Sequence, residues 1–246
     1  MKLFCEVCCP TLDAVARAVA AGAGRIELCE RLEVGGVTPS EELIREALAV
    51  AGGSAEAGPQ SVHGNVPAND PSPVPVNVLI RPREGNFVYS EEEAAQILAS
   101  IALCKRLGVT GVVIGALRTD GSVDMSLMKR LVDAAKCDAG RVGPAGVNCE
   151  VGSPTRPLSI TFHRAFDECS DVFAALEDII SLGIDRILTS GHCADAWEGR
   201  FALRDLVARA AGRIVIMPGC GITPANLPVI AATTRATEFH GSRILR

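Results

Sequence analysis

The sequence lacks an excess of basic residues. Its 24 Lys and Arg are outnumbered by 29 Asp and Glu, which gives the 246 residues a formal net charge of −5, and no run of Lys or Arg is present. Proteins that bind nucleic acid or anionic membrane surfaces depend on such clusters. We therefore expect neither kind of partner.

Long apolar segments are also missing. No stretch approaches the ~18 apolar residues of a membrane span, and residues 1–6 (MKLFCE) reach an acidic residue too early for a secretory signal. These absences predict a cytoplasmic protein. Ten cysteines would indicate disulfides in a short secreted chain, but here we expect most of them to be reduced and buried.

A short β-branched run, a turn and a longer amphipathic stretch recur along the chain. Eight strands are predicted: Leu3–Cys8, Arg25–Cys29, Val76–Arg81, Gly111–Ile114, Ser159–His163, Arg186–Thr189, Arg213–Met217 and Thr237–His240. Helical periodicity is found between them, in Glu41–Ala51, Glu91–Leu107, Val172–Leu182 and Asn226–Ala231. Strands that alternate with helices pair in parallel. Eight such units in a chain of this length are typical of an α/β fold of the TIM-like (β/α)8 barrel type.

A doubly wound open sheet is the competing fold. That fold carries its phosphate-binding glycines after the first strand, whereas the corresponding turn here is Cys9-Pro10-Thr11 and contains none. Glycines follow strands seven and eight instead. We therefore predict a single barrel domain over residues 1–246.

Two inserts and a short C-terminus modify this barrel. Residues 52–75 and 138–157 are typical of loops or disordered segments, and both follow a helix, at the end of a barrel opposite its catalytic face. The chain ends six residues after His240, so we expect the eighth helix to be missing. The strand surface exposed by its absence predicts either a homo-oligomer, in which a partner subunit covers it, or a shortened chain.

Strands one and two end on the same Glu-x-Cys motif. Side chains two residues apart share a face of a strand, so Glu6 and Cys8 face together, as do Glu27 and Cys29. Neighbouring strands lie ~4.8 Å apart, and a metal held by two bonds of ~2.3 Å needs sulfurs within roughly 4.6 Å of each other. Thiolates favour Cu(I) or Zn(II). Because barrels stagger adjacent strands, the cysteines can equally be apolar residues of different layers.

Polar residues on strand three extend this interior set. Asn77 and Arg81 share a face, which would place an amide and a guanidinium in the interior with Glu6 and Glu27. Buried charges of both signs must pair, so a structural ion pair is one interpretation. Two acids, an arginine and an amide in one interior also indicate a polar pocket.

Two histidines end strands at the predicted mouth. His163 shares a face with Thr161 on strand five, and a histidine at the carboxyl end of a barrel strand is typical of an acid/base group or a ligand, as well as of a satisfied core residue. His240 ends strand eight, next to strand one in a closed barrel. It either completes a Cys/Cys/His set, or Glu238, which shares its face, pairs with it or with Arg25.

Glycines after strands seven and eight predict an anion site. Gly219, Gly221 and Gly241 lie where many barrel enzymes bind phosphate through backbone N–H groups. Tight turns also require glycine.

Motifs along nearly the whole chain resemble the CutC copper homeostasis family. They are Phe4–Cys8, Arg25–Cys29, Gly35–Ser40, Val76–Arg83, Gly111–Ala116, Thr161–Asp167, Arg186–Gly191, Arg213–Gly221 and Thr237–Ser242. The resemblance implies a TIM-like barrel, a cytoplasmic protein and a role in copper handling. Copper carried as Cu(I) would then fall on Cys8 and Cys29.

Two functional hypotheses remain. In the first, the chain is a copper homeostasis protein that binds Cu(I) through Cys8 and Cys29, with His240 as a third ligand. In the second, it is an enzyme that performs acid/base chemistry on a small anionic or phosphorylated metabolite. The catalytic residues would be Glu6, Glu27, Asn77, Arg81 and His163, and the anion would bind near Gly219, Gly221 and Gly241.

Overall fold

The computed structural model describes residues 3–52, 73–137 and 156–245. They contain eight strands: β1 (Phe4–Cys9), β2 (Arg25–Leu28), β3 (Val76–Leu79), β4 (Gly111–Ile114), β5 (Ser159–Phe162), β6 (Arg186–Thr189), β7 (Val215–Pro218) and β8 (Glu238–His240). Seven helices alternate with them: α1 (Leu12–Ala20), α2 (Glu41–Val50), α3 (Glu91–Leu107), α4 (Met125–Lys136), α5 (Val172–Ser181), α6 (Arg200–Ala210) and α7 (Leu227–Thr234). None of these helices is both long enough and apolar enough to cross a membrane.

The strands form a nearly closed parallel barrel. Their order is β7-β6-β5-β4-β3-β2-β1-β8, and every hydrogen-bonded neighbour in this sheet is parallel. At the remaining seam, a Cβ built on Gly219 would lie 3.4 Å from the Cβ of His240, so the end of β7 touches β8. The predicted TIM-like barrel is therefore confirmed.

Local sequence signals set the ends of the helices. The hydroxyl of Ser90 accepts from the backbone N–H of Glu93, whose carboxylate accepts from the N–H of Ser90, so a capping box begins α3. The helix ends at Gly108, whose φ of +76° is the left-handed conformation that favours glycine. Both ends agree with the sequence prediction.

Strand three is shorter than predicted. It leaves the regular ladder after Leu79, and the backbone N–H of Arg81 donates to the hydroxyl of Thr38 at 2.8 Å instead of to a neighbouring strand. The predicted extension to Arg81 is wrong because the N–H of Arg81 bonds to Thr38 and Pro82, which has no backbone N–H, cannot continue the ladder. Arg81 nevertheless stays at the carboxyl end of the barrel.

The two predicted inserts, 52–75 and 138–157, lie almost entirely outside the described residues. In the sequence they connect α2 to β3 and α4 to β5. The described ends of the first insert meet, because the N–H of Val74 donates to the carbonyl of Ala51 at 3.0 Å.

A short turn takes the place of an eighth helix. Among the described residues, β8 is followed only by a turn at 242–245, in which Ile244 is 1% exposed and packs into the main core. Val7 on β1 is 7% exposed and Phe239 on β8 is fully buried. Both strands are thus largely buried within the described chain, and the homo-oligomer stays a prediction.

This packing predicts that Ile244 contributes strongly to stability. Replacing Ile244 by Ala should lower the free energy of unfolding by about 2–4 kcal/mol, because it opens a cavity in the main apolar core, where Ile244 is 1% exposed. Val229→Ala, at an exposed position on α7, should cost under ~1 kcal/mol. Urea unfolding of both variants measures the difference, and equal losses would contradict the role given to Ile244.

Candidate functional site

A buried carboxylate joins three strands inside the barrel. Glu6 on β1 is fully buried, and the sheet register places it beside Arg25 on β2 and His240 on β8. It accepts hydrogen bonds from Arg25 Nε and from His240 Nδ1, the latter at 2.9 Å. Burial alone would raise the pKa of Glu6, but the bond from His240 and the charge of Arg25 outweigh it and lower this pKa to about 2.

Arg25 pairs with Glu238, as one of the sequence-based alternatives had it, but its pairing with Glu6 was not predicted. Its Nη2 donates to Glu238 Oε2 at 2.6 Å, and Arg186 donates to the same oxygen at 2.9 Å. The prediction placed Arg81 with the buried glutamates, but in the structure Arg25 is the arginine paired with Glu6. The alternation rule gives the missing signal, because Arg25 lies two residues before Glu27 and shares its face.

The two predicted cysteines are brought together. Cys8 Sγ lies 3.6 Å from Cys29 Sγ, and both are buried with Leu79 and Val113 in a small apolar cluster inside the barrel. The hydrogen bond between the two thiols, together with burial and the nearby charge of Glu27, raises the pKa of Cys8 well above its ordinary value. Without a bound metal, the Cys8 thiol therefore stays protonated.

Cys8 also belongs to a mixed cluster of possible metal ligands. One donor atom each from Cys8, Glu27 and His240 lie within 4.8 Å of one another. Burial raises the pKa of Glu27 to about 7, despite the opposing charge of His240. Burial on its own would lower the pKa of His240, but the charge of Glu27 and the bond to Glu6 overcome this and raise it.

The hydrogen bond to Glu6 also selects the tautomer of His240. Its Nδ1 lies 2.9 Å from Glu6 and 3.3 Å from Glu27, so Nδ1 carries the proton that the Glu6 carboxylate accepts. This leaves Nε2 as the ring nitrogen free to bind a metal when the ring is neutral. A carboxylate behind a histidine is the usual support of a metal-binding imidazole.

Arg81 does not reach either glutamate. Its guanidinium donates to three backbone carbonyls, those of Val34 and Gly36 at 3.1 and 3.0 Å and of Gly85 at 2.7 Å, and it stacks 4.8 Å from the ring of Phe87. Its Nε has no hydrogen-bond partner among the described residues. Arg81 thus holds two loops at the mouth and leaves one donor unused.

His163 lies beside the same aromatic ring. Its ring is 4.8 Å from that of Phe87, and its Nδ1 accepts from the backbone N–H of Ala165 at 3.2 Å. The proton is therefore on Nε2, which lacks a partner in the described part of the chain. Burial and the charge of Arg81 lower the pKa of His163 to about 3, so the ring is neutral near pH 7.

Three of the predicted polar residues lie beneath the mouth. Asn77, Thr161 and Glu6 are fully buried, and the side chains of Asn77 and Thr161 form no hydrogen bonds within the described residues. None of the three lines the cavity at the carboxyl end of the strands. A catalytic role that requires contact with a bound molecule is therefore not supported for Glu6 or Asn77.

The cavity at the mouth has a volume of about 320 Å³. It opens at the carboxyl ends of the strands, where barrel enzymes bind their ligands. Its lining residues include Cys8, Glu27, Cys29, Leu32, Gly35, Leu79, Arg81, Phe87, His163, Arg164, Leu188, Cys220, Gly221, Ile222, His240, Gly241, Ser242 and Arg243. The predicted thiols, His163 and His240 thus share one cavity.

Two of the three predicted anion-binding glycines have their N–H groups already in use. Gly219 donates to the carbonyl of Thr189 at 2.9 Å, and Gly241 donates to that of Glu6 at 3.2 Å. A Cβ at Gly219 would lie 2.4 Å from Leu188 Cδ1, so packing explains this glycine. These two N–H groups are therefore paired within the chain, and an anion role for Gly219, Gly221 and Gly241 stays a prediction.

Arg164 and Arg243 are cavity residues that the sequence analysis missed. Arg164 follows β5 directly, and Arg243 lies in the turn after β8. Neither position belongs to a regular strand, so alternation gave no signal for either. Both residues follow the carboxyl end of a predicted strand, and this position could have identified them as residues of the mouth.

Comparison with known proteins identifies one family. The CutC family model matches residues 3–142 and 147–245. A CutC family protein of Parabacteroides distasonis is 43% identical over 242 residues, which cover 98% of this chain and 83% of that protein. The mouse protein named copper homeostasis protein cutC homolog is 41% identical over 237 residues, 96% of this chain and 72% of its own length.

A solved structure agrees with this result. The crystal structure of a CutC copper homeostasis protein from Streptococcus agalactiae has a TM-score of 0.79 and 29% sequence identity, and the match covers 99% of this chain and 100% of that one. The family resemblance found in the sequence is thereby confirmed.

The ion pairs of Glu6 predict a pH-dependent loss of stability. Its pKa falls from 4.5 to about 2 on folding, so its charge contributes about 3 kcal/mol above pH 4.5, and this is lost as pH falls towards 2. Glu6→Gln should lower the free energy of unfolding by about this amount at pH 7. The free energy of unfolding of this variant should then fall less steeply as the pH is lowered. Guanidinium unfolding between pH 7 and pH 3 measures both effects.

Glu41→Gln is the matched control. Glu41 forms a half-exposed pair with Arg45 on α2, which should contribute less than ~1 kcal/mol. If the free energy of unfolding of Glu6→Gln fell with pH as steeply as that of the unmodified chain, the assignment of this stability to Glu6 would be contradicted.

Proposed function

The chain belongs to the CutC family, and from its site geometry we propose that it is a cytoplasmic copper homeostasis protein that binds Cu(I) at the barrel mouth. The thiolates of Cys8 and Cys29 would be the primary ligands. The observation that carries this proposal is the separation of 3.6 Å between their sulfurs. Thiolates are the ligands that Cu(I) prefers.

The sulfur separation also indicates the coordination number. With metal–sulfur bonds of ~2.3 Å, sulfurs 3.6 Å apart subtend an angle of about 100° at the metal. This angle is far from the 180° of a linear two-coordinate ion and suits three or four ligands. A third ligand is therefore required, and His240 and Glu27 are the candidates in the cluster with Cys8.

His240 is the better third ligand for a soft ion. Its Nε2 is the free ring nitrogen because Nδ1 donates to Glu6, and imidazole suits copper better than a carboxylate does. Glu6 would then fix the orientation of the ring from behind the metal, as carboxylates do at many metal sites. We therefore assign Glu6 a positioning role.

Copper binding at this site would be coupled to proton release. The raised pKa of Cys8 keeps its thiol protonated before binding, whereas a metal-bound cysteine is a thiolate. Cu(I) would therefore displace at least one proton into the cavity. Glu27, whose carboxylate lies in the same cluster, is placed to receive it.

One observation favours a second candidate function, acid/base catalysis on a small anionic metabolite. Glu27 lines the cavity, and its Oε2 has no hydrogen-bond partner among the described residues. A buried carboxylate with a free oxygen at the mouth of a barrel is a common general acid or base. Of the predicted catalytic set, only Glu27, Arg81 and His163 line the cavity.

An anaerobic Cu(I) titration against a colorimetric chelator tests the first proposal. The unmodified chain should bind one tight equivalent, and Cys8→Ala/Cys29→Ala should lose it, because Glu27 and His240 alone offer no thiolate. His240→Ala should keep the stoichiometry but bind at least tenfold more weakly, since one of three ligands is removed.

Cys104→Ala/Cys169→Ala is the matched control. It also removes two buried thiols, but from α3 and the segment before α5, so its Cu(I) affinity should equal that of the unmodified chain. Equal binding by all variants, or no tight equivalent in the unmodified chain, would contradict the copper site and leave acid/base catalysis as the function to test.

A further inference from the structure

The cavity at the mouth is much larger than a copper ion requires. Its volume of about 320 Å³ equals the liquid volume of roughly ten water molecules and lies in the range of small-molecule sites. The thiols and His240 come from β1, β2 and β8, which are neighbours in the barrel. Arg81 and His163, which follow β3 and β5, line another part of the cavity, and the proposed metal site leaves them unused.

Two buried donors on this second side lack acceptors. Arg81 follows β3 and is 7% exposed, and His163 follows β5 and is 4% exposed. Arg81 Nε and His163 Nε2 are N–H donors, and neither has a hydrogen-bond partner in the described part of the chain. The Arg81 guanidinium carbon and the centre of the His163 ring each lie 4.8 Å from the centre of the Phe87 ring. Buried donors are rarely left without an acceptor in the functional state.

The rim of the cavity adds positive charge. Arg164 is exposed but held in place, since its Nε donates to Asp167 at 2.8 Å and its Nη2 to Ser190 at 3.1 Å. Arg243 is exposed and has no ion-pair partner among the described residues. Three arginines thus line the cavity, while Glu27, on the β2 side, is the one carboxylate among its described lining residues.

These features point to a ligand with negatively charged oxygen atoms. Arginine donors and a neutral imidazole N–H match carboxylate or phosphate oxygens, which accept several hydrogen bonds at once. A water molecule would satisfy the two donors, but it would not balance the charges of Arg81 and Arg243, which have no ion-pair partner among the described residues. The preorganised guanidinium of Arg164 would also lose little side-chain freedom on binding.

We propose that the cavity binds a small anionic molecule through a carboxylate or phosphate group that accepts hydrogen bonds from Arg81 and His163 and is charge-balanced by Arg164 and Arg243. This binding goes beyond copper handling and does not depend on it, because none of the four residues belongs to the thiol site. The anion is recognised by side chains rather than by the glycines after β7 and β8.

Calorimetric titration with two probes, inorganic phosphate and malonate, at constant ionic strength tests the proposal. At least one probe should bind saturably with a stoichiometry of one, and the tighter probe identifies the ligand class as phosphate or carboxylate. Arg243→Gln, which disturbs no described contact, should weaken binding at least tenfold. Arg164→Gln should do the same.

Two controls separate this site from surface charge and from the thiols. Arg204→Gln removes an exposed arginine on α6 outside the barrel and should leave the affinity within twofold of the unmodified chain. Cu(I) binding is measured in Arg243→Gln as well and should keep its tight equivalent, so a failure of copper binding and a failure of anion binding are distinguishable. A loss of anion affinity in Arg204→Gln would overturn the proposal.

Nuclear magnetic resonance provides a readout at His163 itself. The Nε2 proton signal, assigned by its disappearance in His163→Gln, should shift on saturation with the bound probe because it gains an acceptor. The absence of saturable binding by both probes, or saturation with no change in the His163 signal, would overturn the proposal.

Discussion

The buried carboxylate of Glu6 is the interaction on which the mouth of the barrel depends. A charge with no solvent contact must be paired, and Glu6 meets this requirement with Arg25 on one neighbouring strand and His240 on the other. Its pairing therefore fixes the ring of His240 with Nε2 free. Cys8 lies two residues further along the same strand, so one short segment of β1 positions both a proposed metal ligand and the carboxylate that supports His240.

The barrel divides its mouth into two sides with different chemistry. Strands β8, β1 and β2 contribute soft and ionisable groups, namely two thiols 3.6 Å apart, an imidazole and the Glu27 carboxylate. The segments that follow β3 and β5 contribute donors without acceptors, and the rim adds further arginines. The two sides face one cavity, so a metal and an anion can be held close together without sharing a ligand.

Strand alternation predicted much of this arrangement from the sequence. It placed Glu6 with Cys8, and Glu27 with Cys29, on shared strand faces because side chains two residues apart point the same way. It did not pair Glu6 with the correct arginine, since the register between β1 and β2 depends on the barrel stagger. The glycines after β7 and β8 gave an ambiguous signal, because glycine marks close packing as well as anion binding. Ile244 escaped notice because a turn has no periodic pattern.

Anomalous diffraction at the copper edge, from crystals grown with one equivalent of Cu(I), tests the central claim most directly. The account predicts a single strong peak about 2.3 Å from both Cys8 Sγ and Cys29 Sγ, with His240 Nε2 completing a three-coordinate site. A peak on other cysteines, such as Cys193 or Cys220 nearer the surface, or no peak in the barrel interior, would contradict it.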